Sequence, residues 1–237
     1  MRAWEKHLID VHSHVLPCVD DGSDSLQVSL KMVEKAVNEG VTDLFLTPHN
    51  RGAFDKTPKE LKEAFDNFCE SVKAEGIKVN LYLGQEIFVT KEIKKKIVDG
   101  EVLSLNDSKY MLIEPDYNEC EITEVVYELT RLGYKPIVAH VERFSYITID
   151  DLFEIKQLGG FVQVNASAVI GKDYRINAKL IKQAFKEGLV DFVASDVHSN
   201  RENCMAKAYA LVKRKYGIGT ADAVFIHNAK EIINGQA

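Results

Sequence analysis

The amino-acid sequence predicts an α/β fold: a distorted TIM-like (β/α)7 barrel forming one domain over residues 1–237. Three observations predict it. Short apolar runs alternate with amphipathic helical stretches along the chain, and glycines stand where those stretches end. Residues able to do chemistry recur at the carboxyl ends of the apolar runs.

The strand-like runs are His7–His12, Leu44–His49, Val79–Ile87, Tyr110–Glu114, Pro136–His140, Phe161–Asn165 and Asp191–His198. Between them, Leu26, Leu30, Val33 and Val37 share one helix face. Leu61, Phe65, Phe68 and Val72 share another, and Ile122, Val125, Val126 and Leu129 a third. Gly40, Gly76, Gly133, Gly159 and Gly188 suit left-handed helix ends. No low-complexity or Pro/Gly-rich linker divides the chain. From His12 through His49, Glu86, Glu114, His140 and Asn165 to Asp196, the spacings are 37, 37, 28, 26, 25 and 31 residues. Those are βα-unit lengths, and in a barrel the carboxyl ends of all strands meet at one face.

Composition narrows the function. A hydrophobic fraction of 46% supports a sizeable core, and a formal charge of −6 argues against a nucleic-acid partner. No run approaches the ~18 apolar residues of a membrane span, and Met1 to Lys6 holds no signal-like apolar stretch. The expectation is a cytoplasmic protein that inserts into no membrane and meets one only through a partner. Cys18, Cys69, Cys120 and Cys204 are scattered and read as reduced thiols. None has an arginine six residues later (Val126 follows Cys120 and Ala210 follows Cys204 at that distance), so the loop of cysteine-dependent phosphatases is absent.

The candidate site is a joint one. Asp10, His12 and His14 lie at a spacing that puts side chains on one strand face, with Asp10 expected to orient an imidazole from behind. Asp196 and His198 repeat the spacing on the last strand, and His49, Glu86, Glu114 and His140 each close an apolar run. Taken singly, each has an ordinary reading: a histidine satisfied in the core, or a solvated strand end. Leaving Asp10 aside as the orienting group and adding Asp21, they make nine nitrogen and oxygen donors and no thiolate. Such a set suits Mn2+, Fe or Zn2+, with Mg2+ also possible, and is too large for one ion. Three divalent ions against four carboxylates would leave an excess of two positive charges, matching a phosphate dianion, and would acidify water for attack. Arg143 and Arg201 each lie three residues past a candidate histidine, where a guanidinium can grip phosphate oxygens or be an ordinary surface group. Arg51 is a weaker third candidate. Phe54, on the segment leaving His49, could flank a bound substrate or be an ordinary loop aromatic.

The linked motifs resemble the polymerase-and-histidinol-phosphatase (PHP) superfamily. More closely, Asp10–Gly22, Thr47-Pro48-His49, Gly84–Ile87, Ser104–Glu114, Ala139–Arg143 and Ala194–His198 resemble the metal-dependent tyrosine-protein phosphatases of bacterial capsule and exopolysaccharide synthesis. The likeness runs from about Leu8 to about Asn234. It implies the PHP version of the barrel and three metals. One site would take His12, His14, Glu86 and Asp196. A second would take Glu86, Glu114 and His140, and a third Asp21, His49 and His198. Glu86 would bridge, and Arg143 and Arg201 would bind phosphate. Asp20 stands beside Asp21 and competes with it for the third site. Val141 stands where several relatives carry proline, which would shift Arg143 slightly. The implied substrate is the phosphotyrosine tail of a membrane-associated tyrosine autokinase, hydrolysed by metal-activated hydroxide without a cysteine nucleophile. A histidinol-phosphate or other small-molecule phosphoesterase is the main alternative, and a non-catalytic phosphotyrosine-binding or metal-sensing module a third.

Overall fold

A computed structural model describes residues 7–118, 120–173 and 176–235, so residues 1–6 lie outside it. The strands are β1 (Leu8–Asp10), β2 (Val41–Leu46), β3 (His49–Asn50), β4 (Asn80–Leu83), β5 (Glu86–Phe88), β6 (Tyr110–Glu114), β7 (Lys135–Val138), β8 (Phe161–Asn165) and β9 (Phe192–Ala194). The helices are α1 (Leu26–Asn38), α2 (Pro58–Ala74), α3 (Ile93–Val98), α4 (Ile122–Arg131), α5 (Ile149–Gln157), α6 (Ala166–Val169), α7 (Ala178–Lys186), α8 (Met205–Tyr216), α9 (Ile218–Asp222) and α10 (Asn228–Asn234). All named strand pairs are parallel.

Among the described residues, nine strands reduce to seven positions because two of the expected strands are broken. The run 44–49 splits at Thr47-Pro48, where proline supplies no N–H to a ladder. The run 79–87 splits at Gly84-Gln85. A Cβ on Gly84 would stand 2.4 Å from Leu105 Cδ2, so only glycine lets Leu105 pack there. Main-chain hydrogen bonds bridge both breaks: Thr47 N donates to Ser13 O (2.8 Å), Gly84 N to Leu46 O (2.9 Å) and Glu86 N to Pro48 O (3.1 Å). The ring closes where Asp196 N donates to His12 O (2.9 Å) and His14 N to Val197 O (3.1 Å), around the parallel bridge Ser13–Val197. The result is a distorted seven-position TIM-like barrel.

Side-chain alternation builds two apolar layers. Phe45, Tyr110, Leu112, Ile137, Ala139, Phe192 and Ala194 fill the ring together with Ala229 and Ile232 of α10. Leu44, Leu46, Met111, Ile113, Val138, Val162, Val164 and Val193 face the helices. Helix starts follow their sequence signals. Ser25 caps α1, and Thr57 and Thr148 form capping boxes with Glu60 and Asp151. The five glycines expected at helix ends all have positive φ. Among the described residues, no helix is long and apolar enough to cross a membrane.

Candidate metal centre

The carboxyl ends of the strands carry a packed set of imidazoles and carboxylates. His12, His14 and Glu86 are fully buried, and Glu114, His140 and Asp196 expose about 1%. Two of these side chains hang on strained backbone at strand ends: His140 follows β7 with φ 32°, and Asp196 follows β9 with φ 48°. A left-handed non-glycine residue costs on the order of 1–3 kcal/mol and persists only where surrounding structure enforces it.

Glu86 lies at the centre. Its Oε1 is 2.8 Å from His140 Nε2 and 3.4 Å from His12 Nε2. Its Oε2 is 2.8 Å from His49 Nδ1 and 3.3 Å from His14 Nε2. Asp196 Oδ1 stands 3.6 Å from His12 Nε2 and 3.4 Å from His14 Nε2, and the two imidazole nitrogens are 3.1 Å apart. Donors about 2.1 Å from one ion are separated by roughly 3.0 Å along octahedral edges and 3.4 Å along tetrahedral ones. The group His12, His14, Glu86 and Asp196 therefore has the spacing of a coordination shell.

Among the described residues, four overlapping groups could hold an ion: His12/His14/Asp196, His12/Glu86/His140, His49/Glu86/Glu114 and His14/His49/His198. The expected second trio is thus divided, with Glu86 meeting His140 beside His12 and Glu114 beside His49. Asp21 Oδ1 completes the outer group, 3.5 Å from both His49 Nε2 and His198 Nε2, with half of its side chain exposed. Its neighbour Asp20 faces the other way. Asp20 Oδ2 accepts from His14 Nδ1 (2.7 Å) and His49 N (3.1 Å), and Oδ1 from Gly22 N (2.9 Å). Asp20 is the carboxylate that orients an imidazole. Asp10 is not, contrary to expectation: its Oδ1 accepts from the main chain, at Ser195 N (2.9 Å) and His12 N (3.5 Å). The strand β1 ends at Asp10, so the alternation on which that expectation rested does not run on through His12 and His14.

The charges conflict in ways divalent cations would relieve. Burial resists ionisation of Glu86, but the charges of His12 and His49 hold it well below the usual carboxylate range. Burial likewise opposes Asp196, and Arg143 and His12 outweigh it. Glu114 goes the other way, pushed up to about 8 by burial and by the nearby Glu86 charge. Burial, with Arg143, lowers His140 to about 4; burial, with the charge on His14, does the same to His198. His14 rises well above its usual value because Asp20 and the other carboxylates outweigh burial, and Asp20 falls in turn to about 2. His140 Nδ1 is buried without a hydrogen-bond partner, and Glu86 Oε2 and His49 Nδ1 face each other at 2.8 Å without hydrogen-bond alignment. Orphaned donors, oxygen and nitrogen lone pairs at coordination spacing, and a carboxyl driven toward neutrality all fit bound divalent ions.

Among the described residues, three arginines ring the mouth. Arg143 Nη1 is 2.7 Å and Arg201 Nη1 3.0 Å from Asp196 Oδ2, the oxygen turned away from His12 and His14. Arg51 Nη1 grips both oxygens of Glu114 (3.2 and 3.1 Å). Arg143 and Arg201 also line an adjoining 300 Å³ pocket with Ser167, Lys172, Asp173 and Ser195. A larger open cavity of 910 Å³ lies along the amino-terminal ends of β2 and β4, around Thr42, Val79 and Asn80, away from this chemistry. Phe54 is half-buried, its ring 6.3 Å from that of His49. Sequence reasoning missed Gln163, whose Oε1 lies 3.1 Å from His12 Nδ1. A glutamine in an otherwise apolar strand was the signal available.

The profile described as "Capsular polysaccharide synthesis, CpsB/CapC" matches residues 8–234. The chain belongs to the CpsB/CapC family. Its relatives in that family include the Staphylococcus aureus putative tyrosine-protein phosphatase CapC, 34% identical over 81% of this chain and 77% of that protein. The Streptococcus pneumoniae tyrosine-protein phosphatase CpsB is 30% identical over 97% of this chain and 99% of its own length. A solved structure from work on Bacillus subtilis YwqE and S. pneumoniae CpsB, described as metal-dependent tyrosine phosphatases, superimposes with a TM-score of 0.88 at 28% identity, covering 97% of this chain and 96% of that one. A dihydroorotase-like domain from Chaetomium thermophilum, 15% identical with a TM-score of 0.59, shares the barrel alone.

Proposed function

We propose that this CpsB/CapC-family chain is a metal-dependent protein-tyrosine phosphatase holding three divalent ions, with Mn2+ the first candidate. His12, His14, Glu86 and Asp196 would form one site, Glu86 with His140 on one side and Glu114 on the other a second, and Asp21, His49 and His198 a third. When bound, the ions would supply Lewis-acid charge and acidify water for attack on phosphorus.

The observation that carries this reading is the divided role of Asp196. One oxygen faces His12 and His14, and the other meets Arg143 and Arg201. The ligand cluster and the two guanidinium groups therefore sit on opposite sides of a single carboxylate. A phosphoryl group at that border meets fixed N–H donors from Arg143 and Arg201, which would bind its oxygens and stabilise charge as tyrosine leaves. Glu86 keeps four imidazoles in one cluster, and Asp20 fixes the proton of His14 on Nδ1, leaving Nε2 aimed inward.

The substrate that fits the family's role in capsular polysaccharide synthesis is the phosphotyrosine tail of a membrane-associated tyrosine kinase. The four free cysteines suit a reducing cytoplasm. The test compares turnover of a phosphotyrosine peptide and of histidinol phosphate with Mn2+ present, then after chelation. The reading expects preference for the peptide and loss of turnover on chelation. Preference for histidinol phosphate, or full activity without metal, overturns it.

A further inference from the structure

A chain of buried amides runs behind the metal centre. Gln163 and Asn165 of β8 expose no surface. Gln163 Oε1 accepts from the backbone N–H of His140 (2.9 Å) and lies 3.1 Å from His12 Nδ1. Gln163 Nε2 donates to Asn165 Oδ1 (2.8 Å), and Asn165 Nδ2 donates to Asp196 Oδ2 (3.0 Å).

One main-chain group sets every proton along this path. A backbone N–H can only donate, so the Gln163 atom facing His140 N is the oxygen, which settles the orientation of the amide. That oxygen can only accept, so His12 Nδ1 carries the hydrogen between them. In the neutral ring, Nε2 is then a bare lone pair directed at Glu86, His14 and Asp196. In the other direction, the Gln163 amide group fixes Asn165 as acceptor on one side and donor on the other. Asn165 thereby presents an N–H to Asp196 Oδ2 and leaves Oδ1 turned toward His12 and His14.

We propose that Gln163 and Asn165 are positioning residues that select the Nδ1–H tautomer of His12 and aim Asp196, preparing the site formed by His12, His14, Glu86 and Asp196 for a divalent cation. This rests on the metal-dependent reading above. A cation needs a deprotonated imidazole nitrogen, and a histidine free to hold its proton on Nε2 must first shift it. Neither residue touches the cluster's open side, so both act through His12 and Asp196.

The experiment has two arms. In the first, nitrogen-15 NMR of the metal-free protein at alkaline pH reads the neutral tautomer of His12, assigned by the signal lost in His12→Gln. The expected result is a hydrogen on Nδ1; a hydrogen on Nε2 overturns the proposal. In the second, Mn2+ affinity is measured by chelator competition in Gln163→Leu, Gln163→Glu and Asn165→Leu. Losing such a supporting hydrogen bond typically weakens metal binding about 10–100-fold. Gln163→Leu, which loses both the acceptor for His12 and the donor to Asn165, and Asn165→Leu are expected in that range; Gln163→Glu keeps the acceptor for His12 and His140 and loses only the donor, so it should lose less than Gln163→Leu. Parental affinity in folded Gln163→Leu, or a loss in Gln163→Glu as large as in Gln163→Leu, overturns it. If Gln163→Leu does not fold, the tautomer of the parent decides. A parent that binds no Mn2+ refutes the metal-dependent reading instead, and the tautomer arm still decides the role of Gln163.

Discussion

Gly22→Ala is the perturbation whose consequence the geometry specifies most closely. Gly22 follows Asp20 and Asp21, and its Cα packs directly on His14. A Cβ there would stand 2.1 Å from His14 O and 2.2 Å from His14 Cβ. Ordinary contact begins near 3.4 Å, so the loop must retreat about 1.3 Å, far up the repulsive wall. His14 cannot yield easily, because its N–H is tied to Val197 O in the barrel closure (3.1 Å). The loop instead carries Asp20 away from His14 Nδ1, stretching a 2.7 Å hydrogen bond beyond useful range. Asp21 moves with it, away from His49 and His198. A misplacement of about 1 Å at a catalytic constellation costs on the order of 100-fold, or about 2.7 kcal/mol in activation free energy. The assay is kcat/KM on a phosphotyrosine peptide at saturating Mn2+, beside a thermal melt. Gly219→Ala, whose Cβ would meet nothing within 4 Å, serves as control and should leave kcat/KM unchanged. A Gly22→Ala enzyme within threefold of the parent would refute the reasoning.

Other perturbations have equally definite outcomes. Arg143→Lys keeps the charge but loses the planar fork, so kcat/KM should fall about 10-fold or more in steady-state assays; an unchanged value removes Arg143 from phosphate recognition. Replacing Cys18, Cys69, Cys120 and Cys204 together by Ser or Ala should preserve at least half of the activity. Burial pushes the Cys69, Cys120 and Cys204 thiols up, away from nucleophilic thiolate, and loss of turnover in a folded variant would reopen cysteine chemistry. Glu142 gives a pH test. Burial raises it from an ordinary 4.5 to about 7, so its neutral form is favoured in the fold. Its contribution to stability is full below pH 4.5 and is lost as pH rises toward and through about 7, a change of about 3 kcal/mol. Glu142→Gln should therefore gain melting temperature relative to the parent between pH 5 and pH 8; a difference that stays flat contradicts the shift.

Much of the centre was legible in the sequence because strand-end chemistry is periodic there. Barrel topology brings strand carboxyl ends together, so His12, Glu86, Glu114, His140 and Asp196 could be joined without knowing a single distance. The Asp20/Asp21 choice was not legible, since adjacent carboxylates differ only in which way the loop turns. Asp10 misled because β1 ends there, so strand alternation does not carry on to His12, and its carboxylate serves the main chain of Ser195 instead of an imidazole. The strand breaks at Thr47-Pro48 and Gly84-Gln85 were hidden in continuous apolar runs, although Pro48 is itself a breaker. The division of Glu86, Glu114 and His140 between two clusters depends on side-chain directions that spacing does not carry. Gln163 escaped notice because one buried amide has meaning only beside the His140 N–H and His12 ring that it joins.

The most direct measurement is anomalous diffraction from crystals of this protein grown with Mn2+. The account predicts manganese peaks within bonding distance of His12 Nε2, His14 Nε2, Glu86 and Asp196 Oδ1, with further peaks beside His140 and between His49 and His198. Ordered crystals with manganese bound only elsewhere, or with that cluster empty at saturating Mn2+, would contradict it.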